Sequence, residues 1–243
     1  MNRLKSLFTV ILFSFCINNY ANSQVEVTVN GNILNFAENP RLNQVLESIA
    51  LEQNWYWRAS QLFKLDSDIA EKSRQELVKQ LSVKSKVADS ATFNQLIKQI
   101  ESWTLAQRID IAIDYDLARF QLNHNPLFDD GKYRLTLSKR MTTLFIFGAV
   151  SQPSTIEYEN NQCIENIVAQ ISKTESADAN IVYAIQPDGV IRQLPVAYWN
   201  QKCHQVMPGT QLYIPLVESQ WFADNSQLNQ LIAELAVNRV VIE

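Results

Sequence analysis

Histidine and cysteine are nearly absent: two histidines and three cysteines in 243 residues. That is too few, at no recognisable spacing, to assemble the four ligands of a structural zinc site. Glycine (5) and proline (7) are also scarce, which excludes collagenous and low-complexity chains. There is no G-x-S-x-G and no C-x-x-C, so a serine-hydrolase elbow and a thioredoxin-like redox motif have no footing. No segment reaches the ~20 consecutive apolar residues of a membrane span. Basic residues do not dominate, since 21 Lys and Arg face 25 Asp and Glu. Such a surface does not gather phosphate backbones, so nucleic acid is not an expected partner.

What is present begins with an export signal. Arg3 and Lys5 precede an apolar stretch from Leu7 to Ile17, and Ala21-Asn22-Ser23 forms an A-x-S cleavage site. Residues 1–23 therefore read as a signal peptide cleaved before Gln24, leaving 220 residues with a formal charge of −6. The expected location is the periplasm, without stable membrane insertion after cleavage. Cys16 leaves with the signal, and a lipoprotein site there is disfavoured by Phe15 before it. Cys163 and Cys203 remain, an even pair in an oxidising compartment, and read as a disulfide. His204 stands beside Cys203, but neighbours on a strand face opposite ways, so a thiol–imidazole dyad is not expected.

The order of elements carries more than any single residue. Residues 25–36, VEVTVNGNILNF, alternate in polarity and turn at Asn30-Gly31, a hairpin signal. Asn39-Pro40 is placed to open a helix whose apolar face is Leu42, Val45, Leu46 and Ile49. Trp55-Tyr56-Trp57 follows as a strand candidate. About 117 residues later the order returns: TLFIFGAV at 143–150, a return strand from Ser154, then a helix through Ile164, Ile167, Val168 and Ile171 capped by Asn160 or Asn161. Strands at 181–185, 190–196 and 212–216 follow. Hairpin, helix, then further strands is the β-grasp order, and its recurrence reads as a duplication.

The expected fold is thus α+β, with two tandem β-grasp domains at 24–139 and 140–220. A helical hairpin at about 66–105 interrupts the first, and strands near 108–113 and 133–137 complete it. Residues 89–103 show its clearest face, through Phe93, Leu96, Ile97, Ile100 and Trp103, with Asp89 or Ser90 as cap. An amphipathic C-terminal helix occupies 221–243, with capping groups at 224–226 and a stripe of Leu228, Leu231, Ile232 and Leu235. That stripe has two readings, docking on its own domain or on a partner.

Pro187-Asp188-Gly189, VAYWN at 196–200 and MPG at 207–209 leading into LYIPL resemble the capsule biosynthesis GfcC family. LFIFGAVSQP at 144–153 is similar to the strand–Gly–strand opening of that family's second β-grasp domain. The resemblance covers essentially the whole mature chain. It implies a periplasmic accessory of capsule or exopolysaccharide export, with domains like the SLBB-type β-grasp units of outer-membrane polysaccharide exporters. It implies no catalytic residue, metal or cofactor, and as partners the polysaccharide or the exporter.

DLARFQLNHNP at 116–126 resembles the family segment in which an arginine lies in a pocket, and the match falls on Arg119. Arg119 would grip a carboxylate or phosphate, or else pair internally with Asp114 or Asp116. No second basic residue lies within four positions of it. Among the aromatics, Trp57 and Trp199 are the candidates for stacking on sugar rings, against core packing for most of the others. The competing class is a glycan-active enzyme, which needs two facing carboxylates. Asp114 with Asp116, or Asp129 with Asp130, are the pairs the sequence offers.

Overall fold

The computed structural model describes residues 25–86, 89–159, 161–200, 202–217 and 225–240. The expected signal peptide, Trp221 and the proposed cap Asp224 lie outside the described residues.

Strands β1 (Val25–Val29) and β2 (Asn32–Phe36) form the first hairpin. Asn30 and Gly31 take φ of 45° and 90°, the left-handed pair that a two-residue hairpin turn needs. Strands β3 (Gln61–Lys64), β4 (Gln107–Ile109) and β5 (Gly131–Thr136) complete a sheet of order β2-β1-β5-β3-β4. β1 and β5 pair in parallel at its centre. The second sheet is built from β6 (Thr143–Gly148), β7 (Ser154–Glu157), β8 (Ile181–Ile185), β9 (Ile191–Pro195) and β10 (Gln211–Ile214). Its order is β7-β6-β10-β8-β9, the same permutation, again with a parallel central pair. The duplicated β-grasp order is therefore present in the topology.

Each copy carries a short helix after its hairpin: α1 (Leu42–Leu46) and α5 (Ile164–Val168). Between β3 and β4 stands the inserted pair α2 (Ile69–Lys84) and α3 (Ser90–Glu101), and α4 (Tyr115–Phe120) precedes β5. Asp89 caps α3 by accepting from the backbone N–H of Ala91 and Thr92. The chain ends in α6 (Ser226–Val237).

Period-two alternation gives the second sheet two apolar faces. Leu144, Ile146, Val182, Ala184, Leu212 and Ile214 pack with α5. Phe147, Tyr183, Ile185 and Tyr213 face the other way. That second face is covered by the inserted helices, through Leu81, Phe93, Leu96 and Ile100, and by α6 through Leu228, Ile232 and Leu235. The insertion leaves the first domain in sequence and packs on the second in space. Gln99, buried, fixes it there: its amide donates to the Gly148 carbonyl at 3.0 Å and accepts from the Gly148 N–H at 2.9 Å. The apolar stripe of α6 is also satisfied within the chain. Buried Asn229 accepts from the Tyr213 hydroxyl and the Leu216 N–H at 2.8 and 3.0 Å, and donates to the Leu216 carbonyl at 2.8 Å.

Some local expectations fail for identifiable reasons. Trp55-Tyr56-Trp57 is not a strand; Trp57 opens a 3-10 turn and the strand begins at Gln61. The Trp55 indole N–H bonds the Ile49 carbonyl, and the Tyr56 N–H bonds the Ser138 carbonyl, so this stretch is held to the segment after α1 and to the chain after β5 instead of pairing as a strand. Asn39 does not cap α1, because the helix begins only at Leu42; the Asn39 amide N–H donates instead to the Phe128 carbonyl at 2.8 Å. Arg41 holds the cap position instead. At α5 the cap position falls to Cys163, while Asn161 turns the chain at φ 70°. Asn160 lies outside the described residues. Asn225 precedes α6 but donates to the Val217 carbonyl instead of capping.

Candidate functional site

The motifs PDG and MPG meet at the junction of the two domains. Pro187-Asp188-Gly189 turns β8 into β9 and reaches the far edge of the first sheet. There the Pro187 carbonyl accepts from Arg108 Nη2 on β4 at 2.6 Å and from Gln61 Nε2 on β3 at 3.2 Å. Gly189 has φ 89°, and a Cβ there would lie 3.1 Å from Arg108 Nε. Glycine thus serves both the turn and the close approach of the guanidinium. Gly209 of MPG has φ 84° and packs against Pro187 and Met141. The end of α6 closes the junction from behind. Asn238 Oδ1 accepts from the Arg108 N–H at 2.9 Å, and its carbonyl accepts from the Ala106 N–H at 3.0 Å.

In front of this junction lies a cleft of about 300 Å³. Its walls include Trp57, Arg58, Arg108, Asp110, Asp114 and Asp188. Burial pushes the Arg108 guanidinium below its ordinary pKa, and the carboxylates of Asp188 and Asp110 act in the opposite direction. The guanidinium stays cationic, as arginine does in proteins. Two of the acids already have duties. Asp188 lies 3.9 Å from Arg58 and accepts from the Val190 N–H at 3.2 Å; Asp114 caps α4 through the Leu117 N–H at 2.9 Å. The cleft therefore presents an indole face, a half-desolvated guanidinium and an exposed one. That set suits a ligand with an apolar ring face and an acidic group.

The sequence candidates are distributed as follows. Trp57 lines the cleft. Arg119 stands exposed on α4, its guanidinium 5.4 Å and 5.3 Å from the ring centres of Tyr115 and Phe120. It is not among the cleft's lining residues, although Leu117 of the same helix is. Trp199 is 77% exposed beside Tyr198 at 88%, on a 3-10 turn away from that lining. The arginines that line the cleft are Arg58 and Arg108, neither of them a sequence candidate, and the half-buried one is Arg108. It sits in a three-residue strand with no amphipathic pattern, and its significance comes from a turn 79 residues away.

Cys163 and Cys203 are bonded, with Cα atoms 4.7 Å apart, within the usual disulfide span. His204 is not the base of a thiol. Its ring Nδ1 pairs with the buried carboxylate of Glu165, whose oxygens also accept from the His204 N–H. Among the described residues no group of three or more His, Cys, Asp or Glu is arranged to hold a metal. Nor is any helix there long and apolar enough to cross a membrane.

Comparison with known proteins gives these features a family context. Residues 21–140 match the family described as capsule biosynthesis GfcC, N-terminal, and residues 152–241 match capsule biosynthesis GfcC C-terminal. A relative in Escherichia coli (strain K12), the uncharacterized protein YjbG, is 28% identical over 193 residues, covering 78% of each chain. The two matches together span most of the sequence; the first ends between β5 and β6, and the second begins between β6 and β7. The chain is a capsule-biosynthesis-related protein and belongs to the GfcC family.

Proposed function

We propose that this protein is a non-enzymatic periplasmic accessory of capsule or exopolysaccharide export, binding the polymer or the outer-membrane export machinery through the cleft between its β-grasp domains. The observation that carries this reading is the cleft itself, where Trp57, Arg58 and Arg108 line one space at the contact of two family motifs. The stacking surface and the guanidinium groups suit a uronic acid or another acidic sugar, or a partner's carboxylate. A binding role is supported by the acids of the cleft, since Asp114 is held by helix capping and Asp188 by Arg58 and the turn. An N-terminal export signal and the cystine support a periplasmic location. Arg119 and Trp199 are proposed as further contacts outside the cleft, each exposed and each able to reach an extended polymer.

The test is deletion of the gene in its native host, with surface polysaccharide and periplasmic polymer measured separately. Wild type should restore surface polymer. Trp57→Ala and Arg58→Ala, present at wild-type levels in the periplasm, should restore much less. Unchanged polymer in the deletion strain would refute the export role.

A further inference from the structure

We propose that the second β-grasp domain carries its own subsite for an uncharged sugar residue, in the groove between the edge strand β7 and helix α5. This rests on the polysaccharide-binding reading and deepens it, because the groove differs in chemistry from the interdomain cleft. Its volume is about 520 Å³, enough for one or two pyranose rings. The floor is aliphatic, made by Ile146, Ile156, Ile167 and Ile171. Around it stand neutral hydroxyls and amides: Ser151, Gln152, Ser154, Gln170 and Ser172. The side chains of these five make no hydrogen bond to another described residue, so their donors and acceptors are available to a ligand. Among the described residues no lysine or arginine lines the groove, and the one charged group there is Glu157. A carboxylate there accepts from sugar hydroxyls and repels a uronic acid. An aliphatic floor under neutral amides and hydroxyls fits the C–H face and hydroxyl rim of a neutral hexose.

The groove wall is also held in place before any ligand arrives. Gln95 Nε2 on α3 donates to the carbonyls of Val150 and Ser151 at 2.9 and 2.7 Å. Gln99 grips Gly148 three residues earlier, and the Ser151 N–H donates to the Ser172 carbonyl at 2.8 Å. The inserted helical hairpin therefore fixes the loop from 148 to 152 against the segment carrying Ser172. Ordering that loop on binding costs little, which favours a shallow polar site.

The experiment uses the mature full-length chain. Neutral hexose trisaccharides and glucuronate-containing trisaccharides are titrated by ligand-observed NMR and calorimetry. Ser154→Trp and Ser172→Trp, both at exposed positions, fill the groove, with unchanged circular dichroism as the folding control. The expected result is binding of a neutral trisaccharide that weakens at least tenfold in both variants. Absence of neutral-sugar binding to wild type, or binding indifferent to both tryptophans, overturns the subsite. So does a groove that takes only extended peptides along the β7 edge. Failure of this subsite is separable from failure of the export role: groove-filled variants that fully restore surface polymer, beside a Trp57→Ala variant that does not, would remove the subsite and leave the export role standing.

Discussion

Replacing both Cys163 and Cys203 by serine should lower thermal stability mainly through the unfolded state. The bond ties residues 40 apart in sequence, the cap position of α5 to the segment before His204. In the chain-entropy model a closed loop of that length is worth about 4 kcal/mol at 25 °C. The folded geometry around the bond has independent support. The Ile164 N–H donates to the His204 carbonyl at 3.0 Å, and Glu165 binds His204 through both backbone and ring. The double variant should therefore fold to the same structure. For a chain of this size each kcal/mol moves Tm by about 2–4 °C, so the expected fall is about 8–16 °C. Differential scanning calorimetry of wild type, of wild type with reductant, and of the double variant measures it. Reduced wild type and variant should melt together, below oxidised protein. Equal melting of all three would refute the staple argument. A fall accompanied by altered secondary structure would refute the claim that α5 keeps its place without the bond.

Other outcomes follow from single contacts. Gln99→Ala leaves the buried N–H of Gly148 without its partner, while the Gly148 carbonyl still accepts from the Val150 N–H, and should cost about 1–3 kcal/mol, read as a lower urea midpoint. Asn229→Ala removes three buried bonds between α6 and the second sheet; limited proteolysis should then cut the C-terminal helix much faster than in wild type. Gly189→Ala strains a residue at φ 89° and crowds Arg108, at about 1–2 kcal/mol, so melting of the whole chain should fall and the linker from 137 to 142 should become protease-sensitive. Hydrogen bonds from Thr92, then Ser176, hold the Asp89 carboxyl below its usual pKa. A depressed folded-state pKa gives stability that is complete above the unfolded value of about 3.9 and is lost as pH falls below it. Asp89→Asn should flatten the acid side of the stability curve below about pH 4, and an unchanged acid limb would refute this.

The sequence by itself determined most of the secondary structure and the duplication. Alternation in VEVTV and TLFIFG marks strands, and Asn30-Gly31 marks the hairpin, because both are local consequences of backbone geometry. Faces recurring at three and four residues mark α3 and α6 for the same reason. Two cysteines, Cys163 and Cys203, left once the expected signal peptide is removed have few alternatives to each other. Where local signals compete with distant ones, the sequence misled: Trp55 to Trp57 has strand-forming residues, yet bonds to Ile49 and Ser138 hold it in a turn. Only the tertiary structure decided what each apolar face covers. The stripe on α3 says that something buries it, not that Phe147 and Tyr213 of the other domain do so. Only the tertiary structure decided the site as well. Arg108 has no local pattern to distinguish it from Arg119. It becomes the half-buried cation of a cleft because a glycine turn 79 residues away in the chain brings the Pro187 carbonyl against it, a contact fixed by how two sheets meet.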